Sequence, residues 1–315
     1  MVPAPIALFA YNRPDHLLRT LSALKANRLA KESTLYIFSD GPKTPQAIQP
    51  VAQVREIIKR VDGFAEVLIR DRTNNIGLAQ SVIEGVTELS AAHGSAIVLE
   101  DDLVVAPGFL TFMNQSLQRY ECEPAVMAVS GYLFPVEKLD QLGSTFFCRV
   151  PTSWGWGTWH RAWKRLEVDS LKLLDEIRDR HQQEAFNLDG AYPYFEHLKL
   201  HAEGKLDVWG VRWYASMFRM GGLCLYPNRS LVQNIGMDGS GIHCAPTTYF
   251  DVELSTSDTW TFPSRIEEAA RARAAIRSVL LGLGTSKRSG AIMELVLRLR
   301  AKAGRITQPF MSSEK

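Results

Sequence analysis

The sequence predicts an α/β protein with a mostly parallel central sheet flanked by helices, and three observations predict it. Short apolar segments alternate with amphipathic helical stretches through the first 105 residues. Polar turn residues follow the apolar segments, at Asn12-Arg13-Pro14, Ser39-Asp40-Gly41-Pro42 and Asn74-Asn75-Ile76-Gly77. The fourth apolar segment, Ile97-Val98-Leu99, ends in three consecutive carboxylates, Glu100, Asp101 and Asp102. A strand covered by helices on both faces reads as a continuous apolar run, and ligands collect at the carboxyl edge of such sheets.

The elements follow in order. Strands are predicted over residues 6–10, 34–39, 66–70 and 95–99, with helices over 14–26, 49–61 and 78–91. Leu17, Leu18, Leu21 and Leu24 form one helical stripe, and Val51, Val54, Ile57, Ile58 and Val61 form another. Beyond residue 108 the pattern changes to a helix over 109–119 and a strand over 125–130. An aromatic-rich zone follows, with six of the seven tryptophans between Trp154 and Trp213. A polar helical stretch over 171–200, a late strand over 222–226 and a glycine-rich loop running to His243 complete the body. No internal repeat or low-complexity block interrupts it.

A chain of 315 residues with 46% hydrophobic composition can bury a large core, as one elaborated domain or two. The divisions expected are a βα half over residues 1–105, a second half of the same domain over 106–262, and a basic helical tail over 263–315. No apolar run approaches the ~20 residues needed to cross a bilayer. The N-terminus enters a strand without a basic region or cleavage site, so a cytoplasmic location is expected. Cys122, Cys148, Cys224 and Cys244 lack paired spacing, which argues against a zinc site and for reduced thiols. Residues 265–315 carry 11 Lys/Arg against 4 Asp/Glu, leaving 25 against 30 for the rest. A mildly acidic body argues against nucleic acid as a partner.

Crowded acids repel one another and lose hydration, a cost a divalent cation relieves while also neutralising a diphosphate. Together with Asn12-Arg13-Pro14, Ser39-Asp40-Gly41, Asn74-Asn75-x-Gly77-Leu78, the segment from Trp154 to Trp159, and Tyr226-Pro227 leading into Asn234-Ile235-Gly236, this cluster resembles GT-A fold glycosyltransferases. The likeness is to a bacterial group related to family 2 and to the N-acetylglucosaminyltransferase I type, and it covers residues 4 to about 245.

The resemblance implies a Rossmann-like domain that takes a nucleoside diphosphate sugar in its first half and a glycan or lipid-linked acceptor in its second. It makes the acidic cluster the DXD-type motif, with Asp102 on Mn²⁺ or Mg²⁺ and Glu100 and Asp101 toward the nucleotide. The alternative for those acids is a turn that caps the next helix. It sets Asp40 near the base, Arg13 near the diphosphate and Asn75 on the same rim; for each, ordinary turn chemistry is the alternative. His243, among glycines, is a candidate metal ligand on a mobile lid.

Inverting transfer needs a carboxylate to take the acceptor's proton. Related enzymes carry it beside a Trp-Asp stretch. Here the residue after Trp209 is Gly210, so Asp207 is the candidate base, with Glu196 and Asp238 as alternatives. The tryptophans read either as core or as a stacking wall for sugar rings. Gly155 and Gly157 suggest that Trp156 lies on a loop near the donor, while Trp159, Trp163 and Leu166 read as a buried helical stripe.

Residues 286–305 form a basic amphipathic stretch, suited either to an anionic membrane surface or to packing on a protein. Two other classes compete. A nucleotidyltransferase shares the architecture but carries a Gly-rich basic loop where this chain reads Tyr11-Asn12-Arg13-Pro14; a catalytically impaired scaffold is suggested by Gly210.

Overall fold

The computed structural model describes residues 2–136, 139–207, 209–240 and 246–283. The expected alternation appears as β1 (Ile6–Ala10), α1 (Pro14–Lys25), β2 (Thr34–Ser39), α2 (Ile48–Ile58), β3 (Glu66–Asp71), α3 (Leu78–His93) and β4 (Ser95–Glu100). Local chemistry sets these ends. Pro14 opens α1, where its missing N–H costs nothing. Gly94 closes α3 in the left-handed region, at φ +83°.

The second half runs β5 (Leu103–Val105), α4 (Phe109–Arg119), β6 (Val126–Ser130), β7 (Thr145–Cys148), β8 (Trp156–Trp159) and α5 (His160–Trp163). It continues with α6 (Ser170–Asp179), α7 (Gln183–Phe186), α8 (Tyr194–Ala202), α9 (Trp209–Arg219), β9 (Leu223–Pro227), β10 (Val232–Asn234) and α10 (Ala270–Gly282). The predicted helical stretch over 171–200 is thus three helices. His181, Leu188 and Asp189, each at φ +53°, break it.

Eight strands form one sheet in the order β3-β2-β1-β4-β8-β6-β9-β7. Strands β3, β2, β1, β4, β6 and β9 share one direction, and β8 and β7 run against it. This is the mixed, mostly parallel α/β sheet that the sequence predicts. The chain winds outward from β1 to β2 and β3 on one side and returns to β4 on the other. The strand order therefore reverses between β1 and β4, the crevice in which open α/β sheets bind ligands.

One expectation is corrected. Trp156 and Trp159 stand on β8, paired with β4 and β6, and not on a donor loop or a helical stripe. Trp156 is 1% exposed and packs against Trp163, Trp209 and Trp213, with ring centroids 5.2–6.3 Å away. Residues 263–283 pack on the body of the molecule. Ala272, Ile276 and Leu280 of α10 are buried, Glu268 bridges to Phe147 of β7, and Arg273 pairs with Asp189 at 2.7 Å. The basic stretch 286–305 lies outside the described residues.

One core runs through the sheet. On one face, Gly85 of α3 lets the helix settle onto the stacked rings of Phe9 and Phe38, whose centroids are 4.9 Å apart. Among the described residues no helix is long and apolar enough to cross a membrane. Cys148 and Cys224 are buried free thiols and Cys122 is exposed; burial pushes the Cys148 thiol up to about 12.

Candidate active site

Because β1, β2, β3 and β4 are parallel, the loops that follow them meet at one sheet edge. A cavity of about 620 Å³ opens there. Arg13, Lys43, Glu100 and Asp101 line its charged wall, and Phe9 and Phe38 lie beneath. Aromatic side chains form the other wall, among them Tyr132, Trp154, Tyr194, Trp209, Trp213 and Phe250. Leu280 of α10 reaches the same space.

The acids stand at the strand-order reversal. Glu100 ends β4 and the next two residues turn directly into β5, so they cap no helix. Asp101 is 4% exposed and Asp102 7%. Tyr11 N–H donates to Asp101 Oδ2 at 3.0 Å, tying the end of β1 to that of β4. One Arg13 nitrogen donates to Asp102 Oδ2 at 2.9 Å and lies 3.4 Å from Asp101 Oδ1. Asp102 Oδ1 is buried without a hydrogen-bond partner.

Strands β5 and β10 pair antiparallel and bring residues 235–236 over this turn. Ile235 N–H donates to the Asp102 carbonyl at 2.9 Å, and a methyl on Gly236 would stand 2.1 Å from Asp102 Oδ2. Only glycine permits so close an approach.

The charges are costly here. Burial, then the neighbouring Asp102 and Asp101, push the Glu100 carboxyl far above the ordinary range. Burial pushes Asp101 to about 6 against the pull of Arg13. For Arg13, burial opposes its charge, but Asp101, Asp102 and Glu100 outweigh that and raise it.

Asp40 and Asn75 line the cavity, but Asp40 spends both carboxylate oxygens, and Asn75 its amide nitrogen, on the chain itself. The Asp40 carboxylate accepts from Gly41, Ile76 and Gly77 N–H groups at 2.9–3.1 Å, four contacts that fill its acceptor positions. Asn75 Nδ2 donates to the Gly41 carbonyl at 2.8 Å. In this state both residues pin the loop before α3, the turn chemistry left open from the sequence.

Of the three candidate bases, Asp207 alone lines the cavity. It is exposed, and a methyl built on Gly77 would stand 3.7 Å from its Oδ2, so it reaches the rim of the first half. Glu196 is 3.8 Å from Lys199 on the same helix. Asp238 accepts from Ser240 N–H and hydroxyl and sits 3.1 Å from His16; hydrogen bonding to Ser240 chiefly holds it down to about 2, making it a poor base. Trp156 does not reach the cavity; Trp154, Trp209 and Trp213 do. His243 lies outside the described residues.

Sequence reasoning missed His197. It lines the aromatic wall, is 8% exposed, and its Nε2 is buried without a partner. Burial holds its imidazole down to about 4, so it is neutral at pH 7. Nothing in the polar stretch around it distinguishes it from His201 one turn further on.

No protein-family model matches the chain, and no curated protein matches it. Among solved structures it is similar to the mannosyltransferase PcManGT from Pyrobaculum calidifontis in complex with GDP-Man and Mn²⁺. That alignment covers 97% of this chain and 87% of the other at 12% identity, with a TM-score of 0.41. An active-site mutant of LgtC aligns over 70% of this chain and 72% of its own at 11% identity and TM-score 0.39. The galactosyltransferase LgtC with donor and acceptor sugar analogues does so over 70% and 72% at 10% identity and 0.36. Likenesses this distant leave the chemistry to be read from the site's own residues.

Proposed function

We propose that this protein is an inverting, metal-dependent GT-A glycosyltransferase that moves a sugar from a uridine diphosphate sugar to a glycan or lipid-linked acceptor. Bacterial surface-polysaccharide synthesis is the setting that the resemblance implies. One observation carries the reading: a single cavity joins a charged wall at the strand-order reversal to an aromatic wall from the second half, with Asp207 facing it.

Among the described residues no group of three or more His, Cys, Asp or Glu side chains is arranged to hold a metal. The fit is to an ion held by one or two carboxylates and completed by substrate phosphates, as hard cations accept. Asp102, with one oxygen buried without a partner and the other met by Arg13, would hold Mn²⁺ or Mg²⁺ beside Asp101. Such an ion supplies positive charge to a departing diphosphate.

The chain's own groups do the rest. Arg13 pairs with phosphate oxygens through its planar fork. The loop pinned by Asp40 and Asn75, with Phe9 and Phe38, receives the nucleoside. Aromatic faces such as Trp154 and Trp209 hold the apolar face of an acceptor ring. Asp207 takes the acceptor hydroxyl's proton as the new bond forms.

A panel of sugar nucleotides incubated with the purified protein and Mn²⁺ tests this through UDP release. One donor should be turned over, with the release lost in Asp102→Ala; turnover unchanged by that substitution would sink the assignment. Transfer to an acceptor should fall by about 100-fold or more in Asp207→Asn, as expected for a lost general base.

A further inference from the structure

Arg13 occupies the position at which a metal ion would meet the acidic turn. The same nitrogen lies 2.9 Å from Asp102 Oδ2 and 3.4 Å from Asp101 Oδ1, between the two carboxylates that the proposed function assigns to a cation. The side chain also lines the cavity and follows β1, so it borders both the acids and the space left for a diphosphate. Asp102 Oδ1, on a side chain nine-tenths buried, has no partner, so this one guanidinium leaves the acidic turn incompletely satisfied.

We infer that Arg13 is an exchangeable placeholder: it fills the cation position until metal and donor arrive together, then trades its carboxylate partners for the oxygens of the diphosphate. A divalent ion and a guanidinium cannot share one position between the same two oxygens, because the two would overlap there and, at equal separation, their repulsion is twice the attraction of the guanidinium for a single carboxylate. An ion binding alone must expel Arg13 into a cavity without an anion. An ion arriving with a diphosphate gives the expelled guanidinium a bidentate partner. Metal and nucleotide therefore bind cooperatively, and Arg13 adds to the coupling that phosphate coordination of the ion supplies. It is a substrate-binding residue whose loss has opposite effects on the two ligands.

The inference rests on the donor reading, and the test separates the two. Mn²⁺ binding is measured from the signal of the free ion in electron paramagnetic resonance, on the full chain, with and without UDP. UDP binding in saturating Mn²⁺ is measured by calorimetry. In the wild type, UDP should tighten Mn²⁺ by roughly 5- to 150-fold, the usual span of a coupling between sites. In Arg13→Met, Mn²⁺ alone should bind more tightly by a similar factor, UDP should bind more weakly, and the coupling should shrink to what the phosphates supply by completing the ion's coordination. Arg13→Lys, which keeps a point charge but not the fork, should fall between. Mn²⁺ affinity unchanged or weakened in a folded Arg13→Met would overturn the placeholder role. If Arg13→Met fails to fold, an Arg13→Lys protein with wild-type coupling overturns it equally. A wild type that binds Mn²⁺ but no UDP would instead overturn the donor reading, and the Mn²⁺-only comparison would still report on Arg13.

Discussion

Replacing Asp101 with Asn should stabilise the protein at alkaline pH while destroying its proposed site. In an unfolded chain the acid releases its proton near 3.8; folded, burial holds the proton until about 6. Between those values the folded state binds more protons than the unfolded one, so this group makes stability fall as pH rises, and above the upper value the cost is complete. A displacement of about 2 units at ~1.4 kcal/mol each gives roughly 3 kcal/mol. The attraction of Arg13 is already included, since it lowers the acid against the larger effect of burial.

Asparagine cannot ionise, and its Oδ1 can still accept the Tyr11 N–H that now bonds Asp101 at 3.0 Å. Asp101→Asn should therefore exceed the wild type by up to about 3 kcal/mol at pH 8 and match it near pH 4. Urea titrations at pH 4, 6 and 8, read as midpoints at constant slope, measure this. A variant no more stable than wild type at pH 8 would show that the acidic turn is a net stabilising ion-pair network, and the reasoning would fail. The expected result is the signature of a functional site, where stability is given up to hold charge.

Two further outcomes are expected. The His197 imidazole is held at about 4 against an ordinary 6.5, so as pH falls through that window the unfolded chain takes up a proton the folded one refuses. About 3 kcal/mol should be lost on acidification, a loss absent from His197→Gln; parallel urea midpoints for the two proteins from pH 7 to 4 would refute it. A methyl at Gly85 would lie 2.8 Å from Phe9 Cζ and 3.0 Å from Phe38 Cζ, so Gly85→Ala should cost about 1–3 kcal/mol through overpacking. An unchanged melting temperature would show that α3 shifts freely on those rings.

The sequence by itself determined the first half. Strands over 6–10, 34–39 and 66–70 and helices on the Leu17 and Val54 stripes are local properties, set by side-chain periodicity and by turn residues such as Pro14. Parallel strand direction then carries Arg13, Asp40, Asn75 and the acids to one edge without further information. Tertiary structure decided the second half. The segment from Trp156 to Trp159 holds strand-favouring Trp and Thr but is four residues long with a glycine inside it, too short to declare itself; β8 forms where β4 and β6 flank it, one of them about 60 residues distant. The same contact turns Trp156 inward and leaves Trp154 and Trp209 at the cavity. The pairing of Arg13 with Asp102 and the filling of Asp40 by the Ile76 and Gly77 N–H groups are likewise contacts between distant segments, and the desolvation of His197 follows from burial. Periodicity reports which face of an element is apolar, whereas charge pairing and desolvation depend on what the fold sets against that face.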